Sequence, residues 1–458
     1  MSGKTNEAMK NKLDWSAYDS DGDINGDAYA QIPAEGGAYG KATSLCIGSR
    51  QCQRTDVGVM CPSFRLTHDD AHSTWHRAAT LKAALNGEYG KNPFIGPELA
   101  EAMELCVACK GCKRECPNGV DMAMLRTEAL AQRWAALGKI PLRERLIAHL
   151  PLFAHQLKRF NWFSALRSKI PLIASLMQNW LGIAAKRSLP KAAPRDFMSS
   201  APTTTPTENA REVVLLVDTF SNHFDPGIAQ AALEVLQAGG YTVHFARPAQ
   251  GECALCCGRT YFSNGMIDEA RAEALRLVDA LWPFVEHGLP VIGLEPSCLL
   301  MLRDEYHMLD LGERVTVVAK AALLLEEFIA REHDAKRLNL PLKAMTGQAL
   351  VHGHCHQKAF GAMKSMRKVL GLVPELQVEF IEASCCGMAG AFGMEAEHYD
   401  TSMQMAELAL LPQIRAAGTN NILIANGTSC RHQIRDGVAR QPLHLAQILR
   451  ASIYASGD

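Results

Sequence analysis

Apolar residues keep one rhythm in the first part of this chain and another in the second. After residue 209 they come in short, nearly unbroken runs at 213–217, 241–246 and 289–294, then again at 349–353, 377–381 and 421–425. Runs of that length, separated by helical stretches, read as buried strands. Strands that alternate with helices predict parallel sheets. Upstream, 97–105 and 121–137 predict helices, the first opened by Pro97. The stretch 141–187 repeats apolar residues at helical spacing (Leu142, Leu146, Leu150, Leu152) among many Lys and Arg. A segment dominated by Pro, Ala, Ser and Thr follows, at 190–208, and reads as a linker. The first 42 residues show almost no apolar periodicity and many Asp and Gly, so they read as a disordered acidic lead-in. A calcium loop starting at Asp21 would find its Gly at Gly26 but Ile32 where a Glu is required, so calcium is not expected there.

Composition adds one abnormal feature. Hydrophobic content of 48% and charged content of 21% are ordinary for a globular protein, and a formal net charge of −1 argues against a nucleic-acid partner. Fifteen cysteines are not ordinary: seven lie between 46 and 116 and eight between 253 and 430. Residues 1–12 contain no apolar core of a secretory signal, the count is odd, and the pairs Cys256-Cys257 and Cys385-Cys386 are awkward as structural disulfides. Metal ligation in a reducing cytoplasm fits better. No stretch reaches the ~18 apolar residues of a membrane span. The nearest, 170–185, opens on Pro171 and is broken by Gln178 and Asn179, so membrane contact is at most peripheral.

Cys106, Cys109, Cys112 and Cys116-Pro117 form a C-x2-C-x2-C-x3-C-P run. Three thiolates at that spacing wrap a 4Fe-4S cubane while the fourth reaches a neighbouring cluster. Just upstream, Cys46, Cys52 and Cys61-Pro62 make a looser set. By the crossing rule of two-cluster domains, Cys61 completes the cluster of Cys106, Cys109 and Cys112, and Cys116 joins Cys46 and Cys52. The second set is then one cysteine short. A three-iron cluster, a non-cysteine ligand such as His72, and no second cluster at all stay open.

The C-terminal part repeats one plan twice. Copy one runs from a strand into Cys256-Cys257-Gly258 and on to Cys298, 41 positions after Cys257; copy two has Cys355, Cys385-Cys386-Gly387 and Cys430, 44 positions after Cys386. These cysteines fall just past strand carboxyl ends, where α/β proteins place ligands. Cys355, Cys385, Cys386 and Cys430 suffice for an unusual, noncubane iron–sulfur cluster or for tetrahedral zinc. Copy one has Cys256, Cys257 and Cys298 but Thr219, Phe220 and Ser221 where copy two has Cys355, with Cys253 as a substitute. His352, His354 and His356 alternate along a strand end and so share one face, opposite Cys355, suited to hydrogen bonding beside a cluster. No G-x-G-x-x-G follows a strand and no Walker sequence occurs, so neither FAD nor NAD is expected in this chain, and no residue reads as catalytic.

The fold class is therefore α+β and multidomain. A mostly helical, two-cluster ferredoxin-like domain (43–140), a helical segment (141–189) and the linker (190–208) precede two tandem α/β Cys-Cys-Gly repeats with parallel sheets (209–345 and 346–458). From 45 to 450 the chain resembles the iron–sulfur half of FAD-linked oxidases of the D-lactate, glycolate and D-2-hydroxyglutarate dehydrogenase group. The matching residues are Gly58-Val-Met-Cys61-Pro-Ser-Phe64 with His72-Ser-Thr74, Cys256-Cys-Gly-Arg259 and Gly293-Leu-Glu-Pro-Ser-Cys298. Arg303-Asp-Glu-Tyr306, His352-Gly-His-Cys-His-Gln-Lys358, Cys385-Cys-Gly-Met-Ala-Gly390 and Glu395-Ala-Glu-His-Tyr399 extend it. The Cys-Cys-Gly repeats are also similar to those of heterodisulfide reductase, where they bind noncubane clusters.

The chain departs from the group at Trp75-His76-Arg77, where relatives continue with Arg-Gly-Arg, and in lacking the flavin domain fused upstream in many of them. That resembles the split arrangement of glycolate oxidase; the iron–sulfur component of anaerobic glycerol-3-phosphate dehydrogenase is a more distant likeness. The resemblance implies an electron-transfer subunit that takes electrons from a separate FAD-binding oxidase acting on a D-2-hydroxy acid and passes them towards a quinone. A thiol–disulfide oxidoreductase of the heterodisulfide reductase kind and a non-catalytic zinc- or cluster-binding accessory protein are the alternatives.

Overall fold

A computed structural model describes residues 9–19, 32–56, 58–202, 211–338 and 340–453. All strands after residue 210 pair in parallel, as the alternation with helices requires. The first sheet contains β1 (Arg211–Leu216), β2 (Tyr241–Phe245), β3 (Val291–Gly293) and β4 (Ala322–Leu324), ordered β2-β1-β3-β4. The second contains β5 (Gly347–Val351), β6 (Leu376–Phe380) and β7 (Ile422–Ile424), ordered β6-β5-β7. The two orders superpose, so the repeat seen in the cysteine spacing is also a repeat of topology. Among the described residues the part before 200 is helical, and the α+β class with parallel sheets stands.

Alternation along β1 decides how the parts assemble. Val213 and Leu215 point into a core shared with Ala349, Val351 and Ile424 of the second sheet. Val214 and Leu216 point the other way, into a core shared with Leu81, Met122 and Leu125 of the N-terminal helices. One sheet is thus covered on both faces, by the second repeat and by the cysteine-bearing helical part. The helices Pro226–Ala238 and Leu445–Ser452 pack together and extend the shared core of the repeats.

Buried charges cross between these layers. Lys110, 1% exposed, lies 2.6 Å from Asp304, 3.1 Å from Asp121 and 3.3 Å from Glu305. Lys113 also pairs with Asp304, and Arg259 reaches Glu305 at 2.6 Å. This network ties the loop between Cys109 and Cys112 to the first repeat. Arg187 does the same for the second, donating to the Gly393 carbonyl at 2.8 Å and to Gln433 at 2.9 Å.

Two readings of the sequence differ from the structure. Residues 9–18 and 32–42, placed in a disordered lead-in, are packed: Leu13 and Trp15 are buried, and the Glu128 carboxylate accepts from the Lys12 and Leu13 amides and the Trp15 indole. Partners far along the chain hold these segments, Glu128 with the Met308 carbonyl on the Asp14 amide and the Leu125 carbonyl on the Tyr39 hydroxyl, which leaves no periodic signature. The rest of the lead-in, with most of the calcium-loop candidate, lies outside the described residues. Strand β4 was not expected, because three residues between the helices Arg314–Ala321 and Leu325–Asp334 carry no turn signal.

Replacing Lys110 with Met would leave Asp121, Asp304 and Glu305 buried without their common cation. A loss of about 3–5 kcal/mol is expected in denaturant unfolding of the full chain. Asp304 answers the same question by pH. Burial opposes its charge, but Lys110 and Lys113 more than offset this and hold its carboxyl at about 2. A depressed folded pKa stabilises above the unfolded value, so this contribution is complete above about pH 4 and is lost as pH falls towards 2. Acid titration of unfolding should show that loss in the native chain and a smaller one in Asp304→Asn.

Candidate functional site

The C-x2-C-x2-C run folds as a tight loop because Ala108 (φ 46°) and Lys110 (φ 59°) take left-handed conformations. Cys112 then enters the short helix Gly111–Glu115. Pro62 opens the helix Pro62–Thr67 directly after Cys61. These turns bring Cys61, Cys106, Cys109 and Cys112 to the wall of one small cavity. Cys116 is not on that wall, as the crossing rule expects. Behind the cavity stands Arg77, fully buried, with Nη1 3.4 Å from the Cys61 sulfur, Nη2 donating to Ser63 and Nε to the Ala102 carbonyl. Burial raises the Cys61 thiol, but the Arg77 charge and the Ser63 hydroxyl outweigh it and bring it below the ordinary range. Burial drives Cys109 and Cys112 upward. Four thiols around one cavity, with a guanidinium held behind them, fit the donor set of a 4Fe-4S cluster.

Cys46, Cys52 and Cys116 come together as a second set. The Cys116 charge acts on Cys46, and Cys52 feels Cys61 first and then Cys46. Burial raises both Cys46 and Cys52. Trp75, the first residue of the departure from the family pattern, donates its backbone N–H to the Cys52 sulfur at 3.3 Å, while Arg50 stacks on its ring at 4.1 Å. Arg77, where the chain keeps the arginine of the family pattern, serves Cys61. His72 does not join these thiols: its Nδ1 lies 2.9 Å from the Thr67 hydroxyl, and the charges that act on it are Asp69, Arg77, Glu104 and His76. Glu115 was not foreseen. Its carboxylate accepts from the Val59 and Met60 amides at 2.8 and 2.9 Å, clamping the loop before Cys61 to the helix before Cys116.

In copy two, Cys355, Cys385, Cys386 and Cys430 are buried and hydrogen-bond to one another in sequence. Gly387 (φ 83°) makes the turn that presents both members of the pair, and its N–H donates to the Cys385 sulfur at 3.3 Å. The three histidines do not line a strand: β5 ends at Val351, and His354 caps the helix Cys355–Ala359 by accepting the His356 N–H at 3.1 Å. A polar side chain that caps a helix competes with strand continuation, which the alternating pattern alone did not reveal. His352 lies with Cys386 and Cys430, their ligand atoms all within 4.8 Å, and its ring pairs with the Cys386 thiol. Burial lowers His352 and His354 to about 4, so both are neutral at pH 7. The neighbouring Cys386 thiol falls well below its usual value, chiefly through hydrogen bonds from Cys385 and Cys430 that overcome burial.

Copy one follows the same frame with different groups. Asp218 caps the helix Thr219–His223 as His354 caps its counterpart, so Thr219 occupies the place of Cys355. Cys256, Cys257 and Cys298 are buried together, with the Thr219 hydroxyl on Cys256. Their neighbours add negative charge: Asp218 and Glu295 act on Cys298, which lies at about 11 although the Cys257 hydrogen bond lowers it, because burial and those carboxylates raise it. Burial, then Glu295, in turn raise Asp218 to about 6. Cys253 is exposed and stands apart from the three.

These sets are neighbours. Cys109 and Cys355 lie near enough for their charges to act on one another. His356 Nε2 is 3.3 Å from the Ala108 carbonyl, and the Ser384 hydroxyl donates to the Val59 carbonyl at 2.5 Å. Between the repeats, the Glu295 carboxylate accepts from the Thr428 amide at 2.8 Å.

Comparison with known proteins agrees with this geometry. Residues 42–120 match the 4Fe-4S dicluster domain family, and residues 349–435 match the cysteine-rich domain family of Cys-Cys-Gly proteins. The chain is 24% identical over 457 residues to D-2-hydroxyglutarate dehydrogenase of Escherichia coli (strain K12), covering 88% of this chain and 43% of that protein. It is 25% identical over 316 residues to one subunit of the anaerobic glycerol-3-phosphate dehydrogenase of the same strain, covering 68% and 77%. To that strain's glycolate oxidase iron-sulfur subunit it is 22% identical over 418 residues, covering 86% and 91%. The chain thus spans less than half the length of the D-2-hydroxyglutarate dehydrogenases it matches. It is an iron–sulfur protein with a dicluster domain and a Cys-Cys-Gly domain, similar to iron–sulfur electron-transfer subunits.

Gly387→Ala tests the turn on which copy two depends. A Cβ there would meet the Ser402 carbonyl in a backbone conformation that alanine resists. The variant should lose the metal bound by copy two, read as iron and zinc per chain, and keep the absorption of the N-terminal clusters.

Proposed function

We propose that this chain relays electrons from a separate flavoprotein, which oxidises a D-2-hydroxy acid of the glycolate or lactate kind, towards a quinone. Cys61, Cys106, Cys109 and Cys112 hold one 4Fe-4S cluster; Cys46, Cys52 and Cys116 hold most of a second; Cys355, Cys385, Cys386 and Cys430 hold a third metal centre. Iron–sulfur clusters accept and donate single electrons, which lets a two-electron donor discharge stepwise. This chain's residues keep the thiols together, exclude water from them and place one set against the next. The observation that carries the reading is the contact of copy two with the loops of the first cavity, where His356 Nε2 lies 3.3 Å from the Ala108 carbonyl and the Ser384 hydroxyl donates to the Val59 carbonyl. The partner is supported by the likeness to proteins that are subunits or parts of longer dehydrogenases.

Anaerobic purification with iron, sulfide and zinc quantified tests the assignment. Cys61→Ser should lower iron by about four per chain and remove one cubane signal. Cys116→Ser should spare that signal and disturb only the second. Four irons and one zinc in the native chain would refute an electron-carrying copy two. Oxidation of glycolate or lactate by the isolated chain with a dye acceptor would refute the separate flavoprotein.

A further inference from the structure

Large apolar side chains that stand in solvent are not spread over this protein. Among the described residues, nine of fifteen lie between 142 and 180. The helix Pro171–Leu181 carries three of them at i, i+4 and i+8: Leu172 (69% exposed), Leu176 (49%) and Trp180 (84%). They form one stripe on its outer face. The helix Asn161–Lys169 packs against it and adds Trp162, with Phe160 just before. The hairpin is firmly held from below. Arg167, 2% exposed, donates to the Ala184 and Arg187 carbonyls at 2.7 Å, and Arg187 is anchored in copy two. The stripe is therefore presented by a fixed support.

Charge selects what can cover it. From 145 to 195 the sequence contains no Asp or Glu and nine Lys or Arg, where an average stretch of this chain would hold about five carboxylates. Lys158, Arg159 and Lys169 are exposed around the apolar stripe. A protein partner's docking face has a polar rim around a core depleted in charge. An apolar face bearing Trp and Leu, carried by a segment whose own charges between 145 and 195 are all positive on a chain of net charge −1, is the pattern of a helix that lies in the headgroup layer of an anionic bilayer. No described helix is long and apolar enough to cross a membrane, so the hairpin lies in the plane of the surface.

We infer that the helical hairpin 158–181 seats this protein on an anionic lipid surface, with Trp162, Leu172, Leu176 and Trp180 inserted among the headgroups. Where electrons leave for a quinone rests on the relay proposed above; the lipid contact does not. The full chain, incubated with vesicles of phosphatidylglycerol and phosphatidylcholine, should sediment with them, release at high salt and shift its tryptophan emission to shorter wavelength. Vesicles of phosphatidylcholine alone should retain much less. The double variant Leu172→Ser, Trp180→Ser should weaken binding by about tenfold or more, with iron content and cluster absorption unchanged. A chain that stays in the supernatant with anionic vesicles overturns the inference, as does a double variant that sediments like the native chain. Neither result touches the relay, since the readout needs no electron transfer.

Discussion

Thiolates crowded together inside a protein repel one another, and the rest of this structure is arranged around that repulsion. Burial first, then neighbouring thiols and for Cys112 the Asp121 carboxylate, move Cys109 and Cys112 away from ionisation. The fold answers Cys61 with a fixed cation, Arg77, and the loop that carries three of the thiols buries a second one, Lys110. Fixed cations need counter-charges of their own, because an unpaired buried Lys is costly. Asp121, Asp304 and Glu305 supply them, and two of these belong to the first repeat. Satisfying one loop's electrostatics therefore fixes the position of a whole neighbouring domain.

Packing follows from that placement. With the loop 106–116 bound to the first repeat, the alternate faces of β1 meet the N-terminal helices on one side and the second repeat on the other. Copy two's helix Cys355–Ala359 then comes up against the loop at Ala108, which is how Cys109 and Cys355 become neighbours. The contact between two centres 246 positions apart in sequence is a result of layer packing, and neither motif contains it.

This explains what could be read from the chain alone. The cysteine runs, the parallel sheets and the repeat were legible because spacing and periodicity are local properties, and the structure brings Cys61 to the cavity of Cys106, Cys109 and Cys112 without Cys116. Arg77, Glu115 and Glu128 were not, since each acts on groups far along the chain and a lone charged residue in a helical stretch looks like solvated surface. His352, His354 and His356 were found for the right reason, nearness to thiols, but in the wrong local structure. Alternation over five residues cannot distinguish a strand end from a strand that turns into a capped helix. The packed lead-in failed for the same reason as Glu128, which holds it.

The two repeats show how one frame carries different chemistry. Three positions at equivalent loop ends differ: Asp218 for His354, Thr219 for Cys355, and Glu295 for Gly427, each pair capping or opening the same helix. The absence of a side chain at Gly427 is what admits the His354 ring, which a Cβ there would strike. Copy two thus places a neutral imidazole beside its thiols. Copy one has two carboxylates in the corresponding space, and they act on Cys298 in the direction that disfavours a thiolate. One Glu295 oxygen caps its own helix at Ser297, and the other accepts from the other repeat, at the Thr428 amide two residues before Cys430. The acidic loop of copy one therefore braces the thiol-bearing helix of copy two. Duplication kept the fold and the cysteine pair, while the change of three side chains turned one set of loop ends into support for the other.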